Sequence, residues 1–328
     1  MPERPRYRNI ISDSARGEGF SFRPDDIVIS APAKCGTTWM QMLCAMLVLD
    51  AVSFDQPLAR ISPWLDMQTS SLDALVRDLD VQTHRRMIKT HTPLDGLPYD
   101  ERVTYVCVGR DPRDAALSFE HHMENLDMGA FMDARAAAIG LADLAELGGP
   151  PEPASPDPKT RFWAWAQGEP GTVPATLAGL LHHLTTFWET RGESNTALFH
   201  YSDLLADLPQ QLRRLAGVLQ IDVTDDRLLE FADAADFARM KNRADVLVPS
   251  AESNLWHSNR AFFHRGSSGQ WRDLLGVEDL CRYEQRVAEL VPPDLAVWAH
   301  GGWAATAPPA PPVRSVQSQI LPAPLRAV

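Results

Sequence analysis

The sequence predicts an α/β protein with a single domain, in which a central, mostly parallel sheet is flanked by helices. Short β-branched and apolar runs alternate along the chain with longer amphipathic segments, which is typical of a parallel sheet covered on both faces. Three of the four apolar runs end in polar residues, namely Lys34, His91 and Arg110. Because ligands of such sheets bind at the carboxyl ends of the strands, these residues predict where the site lies.

The first strand, loop and helix form the clearest local pattern. Residues 26–30 are typical of a short buried strand, and after a turn the chain is predicted to be helical over 37–50. A periodic series of leucine and valine indicates a further helix within 68–85. Residues 86–91 are predicted to form the second strand, which ends before Pro93.

The third and fourth strands follow the same plan. The third strand, predicted over 103–108, runs directly into a helix for which Asp111 suits the N-cap and Pro112 the first turn. The fourth strand is predicted over 196–200. The leucines of 204–215 then give the next helix an apolar face.

The remaining segments divide the chain into three parts. A last helical pattern covers 226–241, and the proline-rich, acidic stretch 148–159 is predicted to be a loop, linker or lid. We expect an N-terminal arm (1–20), one domain (21–305) and a tail (306–328) whose proline and alanine content predicts disorder.

Net charge and cysteine content exclude several classes of function. The chain of 328 residues has a formal net charge of -12, which disfavours nucleic acid as a partner and electrostatic docking on an anionic membrane. A basic pocket for one nucleotide is compatible with it, because pocket charge and net charge are different quantities. The four cysteines have no CxxC spacing, so we expect a reduced protein of the cytoplasm.

The chain shows no pattern of secretion or membrane insertion. Residues 1–9 are polar and rich in arginine, without the apolar core of a signal peptide. The longest apolar run, residues 42–49, is too short to span a bilayer. We therefore expect no transmembrane segment, and the spacing of potential ligands predicts no metal site.

The loop after the first strand has the composition of an anion-binding turn. It reads AKCGTTW (residues 33–39). Gly36 lets the backbone curl, so that the first N–H groups of the helix can hold phosphate or sulfate oxygens. Thr37 and Thr38 add hydroxyls, and Lys34 adds a charge. The lysine precedes the glycine, unlike in the Walker pattern, and a plain turn capped by threonines is the alternative.

The second strand has two ionisable side chains near its carboxyl end. In MIKTH (residues 87–91), alternation places Lys89 and His91 on the same face. A neighbouring ammonium lowers the proton affinity of an imidazole, which suits a neutral general base. The alternative is a strand-end histidine that is hydrogen-bonded to a turn carbonyl.

The third strand ends in a potential phosphate contact. Arg110 can place its guanidinium fork on a phosphate, and Ser118 lies two helical turns further on. The alternatives are a salt bridge from Arg110 to Asp114 and a buried serine hydroxyl bonded to a helix carbonyl.

A fourth motif lies near the end of the domain. The segment FFHRGSSGQW (residues 262–271) contains two glycines beside the basic residues His264 and Arg265. Such a turn can serve as a lid for a phosphate. A basic surface turn anchored by Trp271 is the alternative.

These motifs, in this order, resemble those of the cytosolic-type sulfotransferase family, which uses the donor PAPS (3′-phosphoadenosine 5′-phosphosulfate). The loop at 33–39 resembles the family's 5′-phosphosulfate loop, and residues 89–93 its Lys-Thr-His-x-Pro segment. Residues 110–118 resemble its 3′-phosphate motif, and residues 265–271 the loop that closes on the 3′-phosphate. The resemblance implies the P-loop-kinase-like sulfotransferase fold and a reaction without a metal.

The resemblance also implies a role for each matching residue. His91 would take the acceptor proton, Lys34 would stabilise the leaving 5′-phosphate, and Lys89 would steady the donor. The aromatic residues Trp39, Tyr201 and Phe237 would line the adenine pocket, although core packing is the alternative for each. The implied donor-binding residues are Lys34, Cys35, Gly36, Thr37, Thr38, Trp39, Arg110, Ser118, Tyr201, Phe237, His264, Arg265 and Gly266.

The sequence departs from the family pattern at a few positions. Ala33 replaces a proline, and Cys35 replaces a serine, so that a hydroxyl contact is lost. His264 stands where arginine is usual, which predicts weaker and pH-dependent binding of the 3′-phosphate. Ala235 and Asp236 replace a Ser/Thr pair, and a carboxylate facing an anionic donor would be unfavourable.

The whole chain resembles actinobacterial glycolipid sulfotransferases, which implies a sugar hydroxyl of a glycolipid as the acceptor and a peripheral location at the inner membrane face. Four tryptophans either line an acceptor groove or pack in the core: Trp64, Trp163, Trp165 and Trp188. Two other functions are weighed against this one. They are a P-loop nucleotide kinase and a non-catalytic homologue that binds PAPS or its product PAP.

Overall fold

The computed structural model describes residues 4–147, 155–169, 175–249 and 254–306. Within these ranges one sheet of four strands has the order β2-β1-β3-β4, and all neighbouring strands are parallel. The strands are β1 (Ile27–Ser30), β2 (Met87–Thr90), β3 (Thr104–Gly109) and β4 (Thr196–His200). The predicted α/β class with a parallel sheet is confirmed.

Helices connect and cover the strands. The α-helices of the described ranges are α1 (Thr37–Leu49), α2 (Leu58–Ile61), α3 (Leu72–Asp80), α4 (Pro112–Asn125), α5 (Met128–Ile139), α6 (Pro158–Gln167), α7 (Leu177–Glu189), α8 (Tyr201–Ala206), α9 (Leu208–Leu219), α10 (Asp225–Ala234), α11 (Phe237–Asn242), α12 (Ala244–Leu247), α13 (Asn259–Phe262), α14 (Val277–Leu290), α15 (Pro293–Gly301) and α16 (Trp303–Thr306). Short 3₁₀ helices cover Ser14–Gly19, Leu94–Gly96 and Gln270–Asp273. None of the helices in these ranges has the length and apolar character needed to cross a membrane.

Both faces of the sheet are buried. Along β1, Val28 points into one apolar cluster while Ile27 and Ile29 point into the other, as expected from the alternation of side chains in a strand. The first cluster includes residues of α6, α7, α14 and α15, and the second includes residues of α1, α9 and α10. This two-sided burial explains why the strands are rich in apolar residues on both of their faces.

The order of the strands creates a crevice beside β1. The chain passes from β1 to β2 on one side, and then to β3 on the other side. The loops that leave the carboxyl ends of β1 and β3 therefore diverge at this point, which is where open α/β sheets bind ligands. Lys34 and Arg110 lie in these two loops.

Several predicted elements are shorter or divided. The helix predicted within 68–85 covers only Leu72–Asp80, and β2 ends before His91. The helix predicted over 204–215 divides at Asp207, whose carboxylate accepts the N–H of Gln210 and so caps a new helix. The pattern over 226–241 divides in the same way, because Asp236 caps α11.

The N-terminal arm packs on the domain. Arg8 forms an ion pair with Asp143 at 2.5 Å, and the hydroxyl of Tyr7 donates to Asp95. The predicted loop 148–159 is partly corrected, since α6 begins at Pro158; its residues 148–154 lie outside the described ranges. Residues 307–328 of the predicted tail also lie outside them.

Candidate active site

A cavity of about 720 Å³ opens where the carboxyl ends of β1, β2 and β3 meet. All of the site residues predicted from the sequence line this cavity, except Cys35. Six lining residues are Lys or Arg and two are Asp: Arg6, Arg8, Lys34, Lys89, Arg110 and Arg265 against Asp66 and Asp236. The cavity is therefore basic in a chain whose formal net charge is -12.

The loop after β1 has the curled backbone that its composition predicts. Lys34 and Gly36 both have left-handed φ angles, 65° and 102°, and a Cβ atom on Gly36 would lie 3.0 Å from the Tyr201 ring. The first N–H groups of α1, which begins at Thr37, have no partner within the helix. The side-chain oxygen of Thr37 is buried without a hydrogen-bond partner among the described residues. The loop thus presents unpaired donors to the cavity.

Cys35 is the one predicted donor contact whose side chain does not line the cavity. The thiol is fully buried in the core, and burial raises its pKa to about 12. Its side chain therefore packs in the core and contributes no charge to the cavity.

Lys34 lies within this loop and is partly buried. Its Nζ lies 3.2 Å from Nδ1 of His122 and 4.4 Å from the centroid of the Phe262 ring. Burial, followed by the positive charge of Arg110, lowers the pKa of Lys34 to about 7. A bound anion would raise this pKa again, because it stabilises the charged ammonium.

His91 has the tautomer that a general base needs. Its Nδ1 donates to the carbonyl of Ala31 at 2.5 Å, which leaves Nε2 as the basic nitrogen of the neutral ring. Its backbone N–H donates to Asp66 at 3.1 Å. Burial lowers the pKa of His91 well below its usual value, and the charge of Lys89 lowers it further. The effect of the lysine was predicted from the sequence, whereas the larger cause is burial.

Lys89 and His91 meet at one aromatic ring. The Nζ of Lys89 lies 3.6 Å from the centroid of the Trp64 ring, and the His91 ring packs edge-on against the same indole at 4.8 Å. Burial lowers the pKa of Lys89 to about 7, with Asp66 acting in the opposite direction. The two side chains thus lie on the same side of the strand end, as their alternation predicts.

Arg110 connects the loop after β1 with the segment 262–271, the predicted lid over the 3′-phosphate, which is called the lid below. Its guanidinium donates to the carbonyl of Lys34 at 3.1 Å and to that of Ser267 at 3.0 Å. Its plane lies over the Tyr201 ring at 4.6 Å, and Nε is buried without a partner among the described residues. The alternative salt bridge to Asp114 does not form, because that carboxylate accepts backbone N–H groups of the lid.

The lid is fixed by two aspartates of the segment that starts α4. Asp114 accepts the N–H of Gly269 at 2.7 Å, and Asp111 accepts Nε1 of Trp271 at 3.1 Å. Gly266 has a φ of 66°, and a Cβ atom there would lie 2.3 Å from the Phe237 ring. The lid therefore passes closely over Phe237 because residue 266 is glycine.

His264 differs in side-chain charge from the arginine that the family pattern has at this position. Its ring lies 3.8 Å from the His121 ring, and burial, His121 and Arg265 lower its pKa to about 4. The imidazole is therefore neutral at neutral pH.

The carboxylate of Asp236 accepts the N–H groups of Ala238 and Arg239. These hydrogen bonds partly satisfy the negative charge of Asp236 at the cavity wall.

The four tryptophans fall into two groups. Trp64 and Trp165 line the cavity. Trp163 is a core residue whose indole donates to Asp279, and Trp188 is stacked on Trp303 in the core. Of the four, only Trp64 and Trp165 therefore lie at the cavity.

Three polar residues of the cavity wall were missed by the sequence analysis. Asp66 holds the His91 backbone and the Thr92 hydroxyl, and His183 bonds to the Ser30 hydroxyl at 2.9 Å. His122 contacts Lys34. Only His122 had a local signal, because it lies four residues after Ser118 and so on the same face of α4.

In this cavity a helix N-terminus, unpaired buried donors and cationic side chains lie next to a neutral, oriented histidine. In an α/β fold, such an arrangement is typical of a site that binds an anion beside a histidine able to accept a proton. Residues 24–291 match the family model of the sulfotransferase domain. The chain belongs to this sulfotransferase family. Among the described residues, no group of three or more His, Cys, Asp or Glu side chains could hold a metal ion.

Named relatives and solved structures agree with this assignment. The chain is 41% identical to a glycolipid sulfotransferase of Mycobacterium bovis, over 92% of this chain and 96% of the relative. It is 40% identical to a glycolipid sulfotransferase of Mycobacterium tuberculosis with the same coverage. A crystal structure of retinol dehydratase in complex with retinol and PAP has a TM-score of 0.65 at 21% identity and 85% coverage of both chains. The predicted sulfotransferase fold is confirmed.

Proposed function

We propose that this sulfotransferase uses PAPS as the donor and transfers its sulfuryl group to a hydroxyl of a glycolipid, most directly a sugar hydroxyl. The family supports the reaction, and the PAP in the retinol dehydratase structure supports the donor. The glycolipid acceptor is supported by the two mycobacterial relatives. The observation that carries the proposal is that anion-binding groups and an oriented neutral histidine share one cavity.

The donor half of the cavity fits a nucleotide whose ribose carries phosphate groups at both its 5′ and 3′ positions. The 5′ end would lie against the N–H groups of α1, with the buried hydroxyl of Thr37 and the Lys34 ammonium as further donors. Arg110 has an unpaired Nε and would bind the 3′-phosphate together with Ser118 and the lid. The indole Nε1 of Trp39 is also buried and unpaired, as expected at the wall of a polar base pocket.

The transfer follows from the positions of two residues. Nε2 of His91 accepts the proton of the acceptor hydroxyl while the acceptor oxygen forms its bond to sulfur. The bond from sulfur to the 5′-phosphate oxygen breaks, and the ammonium of Lys34 stabilises the charge that develops on that oxygen. The products are a sulfate ester, PAP and a proton on His91. Lys89 supports the donor from the adjacent strand.

The acceptor half is both aromatic and polar. Trp64 and Trp165 line it, and the N-terminal arm adds Tyr7 and Asn9. Nε1 of Trp64 is buried without a partner among the described residues, so it can donate to an acceptor oxygen. This combination suits a sugar ring, and the protein would meet its lipid peripherally at the inner membrane face.

Incubation with PAPS and a total lipid extract, followed by mass spectrometry, tests the proposal. We expect a new sulfated glycolipid that the Lys34→Ala variant does not form and that the His91→Ala variant forms about 10³-fold more slowly. Binding of PAP without any product would identify a non-catalytic homologue instead. A phosphorylated product formed from ATP would support a nucleotide kinase.

A further inference from the structure

His122 lines the cavity, but the proposed mechanism gives it no role. It lies in α4, four residues after Ser118, and its partly buried ring lines the cavity between the loop after β1 and residues near α13. Nδ1 lies 3.2 Å from Nζ of Lys34, although the two residues are 88 positions apart in the chain. Within the described ranges Lys34 forms no ion pair, and its Nζ is hydrogen-bonded to this imidazole.

The charge state of His122 decides the direction of this hydrogen bond. Charged or titratable groups surround the ring on several elements: Lys34 on the loop, Lys89 and His91 at the end of β2, and His121 on α4. Burial, with the charges of Lys34 and Lys89, lowers the pKa of His122 well below its usual value. A neutral ring can accept at Nδ1 while Nε2 carries the proton. The ammonium of Lys34 is therefore the donor.

Aromatic neighbours hold the imidazole in place. The His122 ring lies 4.7 Å from the Trp256 ring and 5.2 Å from the Phe262 ring. Trp256 is itself fixed, because its indole donates to the carbonyl of Pro249 at 2.7 Å. The acceptor atom is thus presented to Lys34 by a packed side chain.

We propose that His122 is a positioning residue, which accepts the hydrogen bond of Lys34 and thereby keeps this side chain charged and directed into the cavity. A hydrogen bond to a neutral acceptor stabilises the charged amine more than the neutral amine, because the ammonium is the stronger donor. This matters because burial and Arg110 already lower the pKa of Lys34 to about 7. The effect of His122 on catalysis rests on the proposed sulfuryl transfer. The hydrogen bond between His122 and Lys34 does not depend on that proposal.

The chain allows a direct measurement, because it has only four lysines: Lys34, Lys89, Lys159 and Lys241. Lysine labelled with ¹³C at Cε in the full, donor-free protein gives four signals, and Lys→Arg variants assign them. The His122→Phe variant keeps an aromatic ring but removes the acceptor. His122→Asn restores an acceptor near the position of Nδ1, and Lys89 serves as an internal control.

We expect the pKa of Lys34 to fall by about one pH unit in His122→Phe, the equivalent of one charge-assisted hydrogen bond. In His122→Asn the decrease should be smaller, and Lys89 should change little. An unchanged pKa of Lys34 in a His122→Phe protein with the wild-type melting temperature would overturn the proposal. If His122→Phe does not fold, His122→Leu takes its place in the same comparison.

Activity provides the second measurement. The alkaline limb of the kcat/KM profile for sulfuryl transfer should move to lower pH in His122→Phe by the same amount as the pKa of Lys34, and return toward its original position in His122→Asn. If the NMR titration of Lys34 moves but the alkaline limb of the kcat/KM profile does not, the role of His122 in sulfuryl transfer is contradicted. The NMR measurement needs no turnover, so it tests the hydrogen bond even if the proposed function is wrong.

Discussion

Replacing His264 by arginine should tighten the binding of PAP and reduce its pH dependence. In the wild-type protein the His264 ring lies against His121, and its pKa is lowered to about 4. At about pH 7.5 only about one imidazole in three thousand is charged at that pKa. An arginine at this position is charged at every pH used.

The size of the effect follows from electrostatics at a partly exposed position. At about 5 Å and an effective dielectric constant of about 20, one added charge gains roughly 3 kcal/mol against a singly charged phosphate. His264 is only partly buried, and solvent and salt reduce such gains. We therefore expect about 1.4 kcal/mol, which is a tenfold lower Kd for PAP.

The direction in which the affinity for PAP changes with pH follows from the pKa of His264. A bound 3′-phosphate raises the pKa of His264 above its donor-free value of about 4. The contribution of a charged His264 is therefore complete below that value and is lost as the pH rises through the raised pKa of the complex. Wild-type affinity for PAP should increase as the pH falls from neutrality, and by more than in His264→Arg.

Isothermal titration calorimetry with PAP at several pH values measures both effects. His257→Arg is a matched control, since it makes the same substitution at a residue that does not line the cavity. Equal Kd values for wild type and His264→Arg over the whole pH range would refute the contact of His264 with the 3′-phosphate.

Three further substitutions test other parts of the site. His91→Ala should lower kcat by about 10³-fold because the general base is lost, while calorimetry with PAP should give a nearly unchanged Kd; an active variant would contradict the base assignment. Arg110→Ala should raise the Kd for PAP by about a hundredfold, since charge-assisted bonds to the phosphate are lost; a wild-type Kd would exclude this contact. Gly266→Ala should weaken PAP binding, because its Cβ would meet the Phe237 ring, whereas Gly192→Ala, which has open space around it, should not. Equal Kd values for the two alanine variants would show that the lid does not need this close approach.

The sequence predicted the sheet better than it predicted the helix ends. The fourth strand was predicted at its observed bounds, 196–200, because a short apolar run (residues 197–199) is bounded there by polar residues on both sides. The helices that were predicted too long divide where Asp207 and Asp236 turn their carboxylates onto backbone N–H groups. Such capping competes with the apolar periodicity that predicted continuous helices.

The site was predicted where topology alone brings residues together. Lys34, His91 and Arg110 follow neighbouring parallel strands, so their convergence needs no knowledge of side-chain packing. The contact of His122 with Lys34 depends on how α4 packs beside the loop, and no local pattern carries that information. Trp163 and Trp165 show the same limit: two positions on one helix separate a core residue from a cavity residue.

Transfer of the sulfur atom tests the central claim most directly. Radiolabelled PAPS is incubated with the purified protein and a glycolipid acceptor, and labelled lipid and free PAP are quantified together. We predict equal amounts of sulfated lipid and PAP with the wild-type protein, and neither product with Lys34→Ala. Binding of PAPS with the label remaining on the nucleotide, in the presence of lipid acceptors, would contradict the claim that donor and acceptor react in this cavity.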